Sequence, residues 1–188
     1  MYDFDSNLVV VSGPSGAGKD TIVSRLLEKD DSFSLSVSAT TRAPRGEEVD
    51  GENYYFLTVE QFEEKISNNG FVEYAKYGSN YYGTLKSDVE ARIENGKTVI
   101  LVIEVNGAAN IKKLYPGSLS IFVMPPSETV LENRLRNRQT DSEEAILKRM
   151  DIAKTEISRS KDYDYIVIND ELDKAVEDAY EIIKNQRK

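Results

Sequence analysis

Residues 13–21 read Gly13-Pro14-Ser15-Gly16-Ala17-Gly18-Lys19-Asp20-Thr21. An apolar run at 8–11 precedes this stretch, and residues with the spacing of a helix follow it. A strand, a glycine-rich turn ending in Gly-Lys and a helix are the context of a phosphate-binding P-loop. The glycines let backbone N–H groups converge on phosphate oxygens, the helix N-terminus adds the positive end of its dipole, and Lys19 supplies a mobile cation. The stretch therefore predicts a site for the phosphates of a nucleotide.

The composition excludes several kinds of chemistry. The 188 residues include no Cys and no His, which rules out disulfides, thiol nucleophiles, Cys/His zinc sites and histidine acid–base steps. The net charge of −9 argues against a nucleic-acid partner, because such binding needs a basic face. An anionic ligand must then be held by local clusters of Arg and Lys.

The sequence carries no sign of export or membrane insertion. Its first six residues lack the apolar segment of a signal peptide, and no apolar stretch approaches the ~18 residues of a membrane span. We therefore expect a cytoplasmic protein with no membrane partner, and we infer no obligate protein partner.

Apolar runs alternate with segments of helical period. Buried parallel strands are predicted at 8–11, 98–103, 119–124 and 165–168, and helices at 20–29, 84–95, 127–137, 142–159 and 172–184. Alternating β and α elements with a P-loop after the first strand predict an α/β, P-loop NTPase-type three-layer fold with a parallel sheet. Ligands in such sheets bind beyond the carboxyl ends of the strands.

Two segments interrupt this alternation. Residues 38–84 hold short, tyrosine-rich strands and one brief helix, which predict a small mixed insertion. A polar segment at about 138–144 joins two helices and is predicted to act as a lid. The rest of the chain, 1–37 and 85–188, is predicted to form the nucleotide-binding core.

Several blocks of sequence carry a resemblance to a known family. They are SATTRAPR at 38–45, EVDGENY at 48–54, FVEY at 71–74, NYYGT at 80–84 and IEVNG at 103–107. Together with the P-loop they resemble guanylate kinase, the family that transfers a phosphoryl group from ATP to GMP. The resemblance covers nearly the whole chain, and the 38–45 block narrows a P-loop's many functions to very few. It implies that 38–84 is the GMP-binding insertion, that GMP and dGMP are the acceptors, and that the chain serves purine nucleotide metabolism.

The resemblance implies a clamp for the phosphate of GMP. Planar Arg forks match phosphate oxygens, and tyrosine hydroxyls add further donors. The residues implied are Arg42, Arg45, Tyr54 and Tyr82, and the family pattern adds Glu48 to the GMP-binding set.

The guanine base calls for a different group. Guanine presents donors at N1–H and N2–H₂ that one carboxylate accepts together, and Glu73 fits that role, with Ser38 and Thr84 for the O6 acceptor. Adenine would place a lone pair against Glu73, and such mismatches are worth ~10⁴-fold in discrimination. Glu104 is expected near GMP as a second carboxylate.

On the ATP side, the resemblance assigns residues 13–21 to the phosphates, with Arg134 beside them and Asn169 near the adenine. The catalytic set implied is Lys19, Arg42, Arg138 and Arg149, which would neutralise charge on the transferring group. The phosphate oxygen of GMP is already a nucleophile, so the absence of histidine is no obstacle.

The expected cofactor is Mg²⁺, bound as Mg-ATP, but two positions depart from the family pattern. Asp20 stands where a Ser or Thr hydroxyl is usual, and Val102 stands where many relatives carry an acid. Asp20 is predicted to support the metal, since a carboxylate is a good hard ligand. The alternatives are that Thr21 supplies the hydroxyl, or that Asp20 only caps the helix while phosphate oxygens and waters hold the ion.

Two other functions are compatible with parts of this pattern. One is a catalytically inactive, guanylate-kinase-like binding module, although such modules lack the Gly-Lys signature that this chain keeps. The other is a kinase for a different small molecule, against which the base-reading set Ser38, Glu73, Tyr82 and Thr84 argues.

Overall fold

A parallel sheet built around the strand before the P-loop forms the centre of the molecule. In the computed structural model, which describes residues 4–137 and 142–186, the strands are β1 Leu8–Ser12, β2 Phe33–Leu35, β3 Ser38–Thr40, β4 Tyr55–Phe56, β5 Phe71–Tyr77, β6 Asn80–Leu85, β7 Thr98–Val102, β8 Leu119–Met124 and β9 Tyr165–Ile168. The helices are α1 Lys19–Lys29, α2 Val59–Ser67, α3 Lys86–Glu94, α4 Val105–Leu114, α5 Glu128–Arg136, α6 Glu143–Ser158 and α7 Leu172–Gln186. The central sheet has five parallel strands in the order β2-β7-β1-β8-β9.

Helices cover both faces of this sheet. Alternate residues of a strand point to opposite sides, so an apolar strand needs packing partners on both faces. Val9 and Val11 of β1 pack with α1 and α7, whereas Leu8 and Val10 pack with α3 and α4. All five residues of β1 are buried, as in a strand covered on both faces. The predicted three-layer α/β fold is confirmed.

A second, smaller sheet lies within the predicted insertion. Its four strands run in the order β4-β3-β6-β5 and mix parallel and antiparallel pairs. Beneath it, Phe62 of α2 is fully buried and stacks on Phe71 and Tyr81. These contacts give the small sheet a minor core of its own, while its assignment as the GMP-binding unit stays a prediction.

The four predicted core strands and five predicted helices are present with small changes at their ends, and two elements were not predicted. β2 pairs with β7 as a fifth strand, but three residues give too weak a pattern. α4 contains Asn106, Gly107 and Asn110, which are poor helix formers. Thr84 was wrongly placed at a helix start; it lies in β6, paired with both β3 and β5.

No helix within the described residues is long and apolar enough to cross a lipid bilayer.

Candidate active site

The loop between β1 and α1 is fixed in shape by its glycines. Gly13 has φ of 142°, and a Cβ there would come 2.3 Å from the carbonyl oxygen of Val123 in β8. Gly18 has φ of 93°, and a Cβ there would come 2.3 Å from the Nδ2 atom of Asn169. Residues with a side chain rarely adopt these positive φ angles, and a Cβ atom would also clash at both positions. The loop therefore follows this path only with glycine there.

Lys19 begins α1 and folds back over the loop. Its Nζ donates to the carbonyl oxygens of Gly13 at 2.6 Å and Pro14 at 3.1 Å. Beside it lies a cavity of about 380 Å³, whose walls include Ser15, Asp20 and Thr21. The loop N–H groups, the N-terminus of α1 and this ammonium group form a cationic cradle of the kind that binds phosphates.

Helix α6 supplies the opposite wall of this cavity. Arg149 donates from Nη1 to the hydroxyl of Ser15 at 3.1 Å, which joins α6 to the loop. Glu156 also lines the cavity, and burial raises the pKa of its carboxyl group, partly offset by the charge of Lys19. This wall therefore places one cation and one carboxylate next to the phosphate cradle.

Asn169 and Arg134 stabilise the loop through hydrogen bonds. Asn169 is 5% exposed, and its Nδ2 donates to the carbonyl oxygen of Ala17 at 2.8 Å. Arg134 donates to the carbonyl oxygen of Asn169 at 2.9 Å. A further cavity is lined by these two residues together with Gly16, Thr21 and Leu172.

A second cavity, of about 670 Å³, lies between the small sheet and α4. Ser38, Thr84 and Glu73 form a row across β3, β6 and β5, because Thr84 is the register partner of both others. A shift in register between Phe71 and Glu73 brings Glu73 opposite Thr84, as bulges do when they re-aim a side chain. The buried Thr84 hydroxyl donates to Oε1 of Glu73 at 2.9 Å, while Ser38 and Glu73 line the cavity.

Two carboxyl groups in this cavity have raised pKa values. Burial raises the pKa of Glu73, and the hydrogen bond from Thr84 opposes this effect only in part. Burial likewise raises the pKa of Glu104, against the opposing charge of Lys19. Partly desolvated carboxylates bind N–H donors strongly, because water competes poorly for them.

The loop after β3 holds an arginine in a fixed position. Arg42 forms a two-point ion pair with Glu48, at 2.6 and 2.7 Å, and its guanidinium lies 4.8 Å from the centre of the Tyr54 ring. Glu48 also accepts from the backbone N–H of Arg45 at 2.8 Å. Arg42 and this N–H hold the pKa of Glu48 down to about 2. Glu48 thus holds the side chain of Arg42 and the backbone of Arg45, whose own side chain is exposed.

Tyrosines complete the wall of the second cavity. Tyr82 meets Tyr54 edge-on at 6.4 Å between ring centres, and Tyr77 meets Tyr82 in the same manner at 6.0 Å. The Tyr77 hydroxyl donates to Oε2 of Glu104. All four residues line the cavity.

The two cavities meet at Gly13, Lys19 and Glu104, which line both. A ligand phosphate in either cavity would therefore face Lys19. This shared wall is the arrangement that direct transfer of a group between two bound molecules requires.

Comparisons with known proteins agree with this geometry. The sequence model of the guanylate kinase family matches residues 5–186. The chain belongs to the guanylate kinase family. It is 50% identical over 176 residues to a protein named guanylate kinase from Synechocystis sp. (strain ATCC 27184 / PCC 6803 / Kazusa), covering 94% of this chain and 92% of that protein. It is 50% identical over 177 residues to the guanylate kinase of Prochlorococcus marinus (strain MIT 9312), covering 94% and 95%.

Solved structures give the same result. The crystal structure of guanylate kinase from Anaplasma phagocytophilum superposes with a TM-score of 0.72 at 32% identity, covering 96% of this chain and 86% of that one. A shikimate kinase from Bacteroides thetaiotaomicron, at 17% identity and a TM-score of 0.54, shares the fold alone.

The predicted residues of this guanylate kinase family member fall into three groups. Ser38, Tyr54, Glu73, Tyr82 and Glu104 line the second cavity, and the loop residues Gly13, Ser15, Gly16, Gly18, Lys19, Asp20 and Thr21 line the first together with Arg149. The remaining described residues form the third group, which contacts these walls or one another. Arg42 and Thr84 contact Tyr54 and Glu73, and Glu48 accepts from Arg42 and from the Arg45 backbone. The carbonyl oxygens of Pro14 and Ala17 accept from Lys19 and Asn169, and Arg134 donates to Asn169. Arg138 and most of the predicted lid at 138–144 lie outside the described residues, so the roles assigned to them stay predictions.

Glu156 and Tyr77 are among the residues of these walls that were not predicted. Glu156 lies seven positions after Arg149, two turns along the same face of α6, so helical spacing could have identified it. Tyr77 ends β5 two positions after Ala75, on the face that Glu73 shares, so strand alternation could have identified it.

The walls offer only oxygen ligands to a cation. Within residues 4–137 and 142–186, no group of three or more His, Cys, Asp or Glu side chains could hold a metal ion by itself. The first cavity nevertheless contains the Asp20 carboxylate and the Thr21 hydroxyl. Mg²⁺ prefers oxygen and is commonly held by one or two carboxylates together with substrate phosphates, so this donor set fits a bound Mg-nucleotide.

Proposed function

We propose that this protein transfers the γ-phosphoryl group of ATP to GMP, giving ADP and GDP, and accepts dGMP as well. The observation that carries the proposal is the shared wall, where a phosphate cradle and a base-reading cavity meet at Lys19. Membership of the guanylate kinase family supports the same reaction. On this proposal residues 38–84 are the GMP-binding unit, the remaining chain is the ATP-binding core, and the activity belongs to cytoplasmic purine nucleotide metabolism.

Guanine recognition depends on Glu73 in this proposal. Its carboxylate accepts N1–H and one hydrogen of the N2 amine, and the hydrogen bond from buried Thr84 keeps it in place. The other N2 hydrogen points away from Glu73, toward the remaining carboxylate of the cavity, Glu104. Adenine offers a lone pair at N1 and no amine at C2, so AMP leaves both carboxylates without their hydrogen bonds.

The phosphate of GMP is held by the clamp of Arg42, Arg45, Tyr54 and Tyr82. Glu48 contributes by position, because it holds Arg42 and the Arg45 backbone. A carboxylate placed directly on a phosphate dianion would repel it, whereas one behind an arginine fixes the direction of its fork.

Transfer proceeds by in-line displacement. A phosphate oxygen of GMP forms a bond to the γ-phosphorus, and the bond from that phosphorus to the bridging oxygen of ADP breaks, so ADP leaves with the electron pair. Lys19 follows the transferring group, since it lies on the wall common to both cavities. Arg149 and Arg138 neutralise the charge that develops.

Mg²⁺ enters the proposal as part of the donor. When bound with the nucleotide, the ion would supply Lewis-acid stabilisation of charge on the phosphate oxygens. Asp20 would hold it directly or through water, and Thr21 would offer the neighbouring hydroxyl.

A coupled assay of ADP release with GMP, dGMP, AMP, dTMP and UMP as acceptors tests the proposal. We expect GMP to exceed AMP in kcat/KM by ~10⁴-fold. A small-molecule kinase of another kind would prefer a different acceptor. An inactive binding module would bind nucleotides without releasing ADP, and either result would overturn the proposal.

A further inference from the structure

Tyr77 lines the second cavity, between the small sheet and α4, and belongs to none of the groups described for GMP. It is the last residue of β5, is 48% exposed and lines the cavity. Its ring packs edge-on against Tyr82 at 6.0 Å, which fixes the direction in which its hydroxyl points.

The hydroxyl of Tyr77 joins two parts of the fold. It donates to Oε2 of Glu104, the residue at which α4 begins. Tyr77 comes from the small sheet, whereas α4 packs on the central sheet. This hydrogen bond therefore links the small sheet to the start of α4 on the wall of the second cavity.

We propose that Tyr77 is a positioning residue for guanine recognition, acting through Glu104. The inference rests on the proposed function and adds a residue to its specificity. With Oε2 held by Tyr77, the Oε1 atom of Glu104 is left for the second hydrogen of the guanine N2 amine. The contacts then form a chain in which the Tyr82 ring packs on Tyr77, the Tyr77 hydroxyl donates to the Glu104 carboxylate, and this carboxylate accepts from the N2 amine.

Glu104 needs such support because its surroundings disfavour the charge. The carboxyl group is partly buried, so its pKa is raised, and Lys19 opposes this only in part. A tyrosine hydroxyl donating to a carboxylate favours the ionised form and fixes its rotamer. Without it, Glu104 loses both the donor and the fixed direction.

The test is Tyr77→Phe, with GMP compared against IMP, whose base lacks the N2 amine. We expect KM for GMP to rise about tenfold, the lower end for a hydrogen bond to a charged group. We expect kcat, and KM for ATP, to stay within about twofold of the wild-type values, since Tyr77 does not line the first cavity. KM for IMP is expected not to change, so the preference for GMP over IMP falls about tenfold.

Tyr81→Phe is the matched control. Tyr81 is also on the small sheet and donates its hydroxyl to a glutamate, Glu63 of α2, at 3.2 Å, but neither residue lines the second cavity. We expect Tyr81→Phe to keep wild-type selectivity. Melting temperatures of both variants show whether either change acts by loosening the sheet.

Distinct outcomes separate the inference from the proposed function. A wild-type protein that does not phosphorylate GMP overturns the function. With wild type active, an equal loss for GMP and IMP in Tyr77→Phe overturns the route through Glu104, and tighter GMP binding shows that Tyr77 obstructs the site instead. A double-mutant cycle with Glu104→Gln is expected to be non-additive for GMP, and full additivity also overturns the inference.

Discussion

Glu73 is the proposed base reader and its carboxyl group has a raised pKa, so we expect acceptor selectivity to depend on pH. Only the ionised carboxylate accepts from both N1–H and N2–H, and burial makes it take up a proton at higher pH than an ordinary glutamate. We expect kcat/KM for GMP to fall as pH is lowered through this raised pKa. The same shift affects stability in the opposite sense: between the ordinary and raised pKa values, stability from this group falls as pH rises.

Glu73→Gln tests this dependence. The amide removes one acceptor and the titration, so we expect GMP to lose much of its advantage over AMP and the acidic limb to flatten. Because GMP phosphate itself titrates near pH 6, the variant-to-wild-type comparison isolates the carboxyl group. Glu63→Gln, at an exposed carboxylate on α2, is the control. An unchanged GMP:AMP ratio would place the base reader elsewhere.

Asp20 is exposed in the first turn of α1 and lines the phosphate cavity. If it supports Mg²⁺, Asp20→Ala should need clearly more Mg²⁺ for half-maximal rate, with Asp20→Ser between, since a hydroxyl is a weaker ligand than a carboxylate. Mg²⁺-dependent ADP affinity, measured by calorimetry, should weaken in the same order. Glu28→Ala, on the same helix but away from the loop, is the control. Identical Mg²⁺ curves for all proteins would leave Asp20 as a helix-terminal charge only.

At the scale of elements, most of the central sheet was predictable from apolar runs. β8 and β9 begin and end as predicted. Five of the six residues of β8 are buried and leave a pattern that the sequence shows directly. The predicted burial of β9 was wrong, because it is an edge strand in which only Val167 is buried. β2 and α4 were not predictable in this way. β2 is stabilised by its pairing with β7, and α4 by the burial of Val105, Ala108 and Ile111, which are tertiary effects that outweigh weak local preference.

The hydrogen bond from Asn169 to Ala17 joins the end of β9 to the phosphate loop. Asn169→Ala leaves a buried carbonyl without this donor, so we expect the free energy of unfolding to fall by about 1–3 kcal/mol. We also expect weaker ATP binding, because the loop N–H groups lose their fixed direction. Denaturant unfolding and steady-state kinetics measure both effects, with Asn133→Ala at an exposed position of α5 as control.

Inorganic tripolyphosphate distinguishes the two roles of Asn169. It has no base, so its inhibition constant weakens only if Asn169 acts through the loop. An unchanged tripolyphosphate constant alongside a raised KM for ATP would instead support the adenine contact that the sequence suggested.

At the scale of the whole molecule, the sequence predicted many of the residues that belong to the site. It did not predict which of them face a cavity and which only support other site residues. Glu73, Tyr82 and Lys19 face the cavities directly. Glu48 and Thr84 instead hold other site residues in place. Whether a residue faces a cavity or supports a neighbour depends on strand register and side-chain direction, which the local sequence does not determine. Local spacing could have placed Tyr77 and Glu156 on the same faces as Glu73 and Arg149, but the contact of Tyr77 with Glu104 joins elements distant along the chain and was not predictable.

The two cavities also predict how the substrates affect each other. Binding both places two phosphate anions against one wall, and two unit charges about 4 Å apart near a protein surface interact by about 4 kcal/mol. Lys19 lies on that wall and offsets the repulsion. In wild type, an ATP analogue with a methylene β–γ bridge should therefore change GMP affinity little.

In Lys19→Ala the same analogue should weaken GMP binding by about tenfold or more. A tenfold change in affinity needs only about a third of the repulsion between the two phosphates. Because coupling is reciprocal, GMP should weaken the analogue equally. Turnover should fall by ~10²–10³ with the melting temperature retained, as when a preorganised charge is removed. Lys29→Ala, at the far end of α1, is the control. Calorimetric titrations in both orders decide the matter: if Lys19→Ala couples the two ligands as wild type does and turns over within about threefold of it, the shared wall does not carry the transfer.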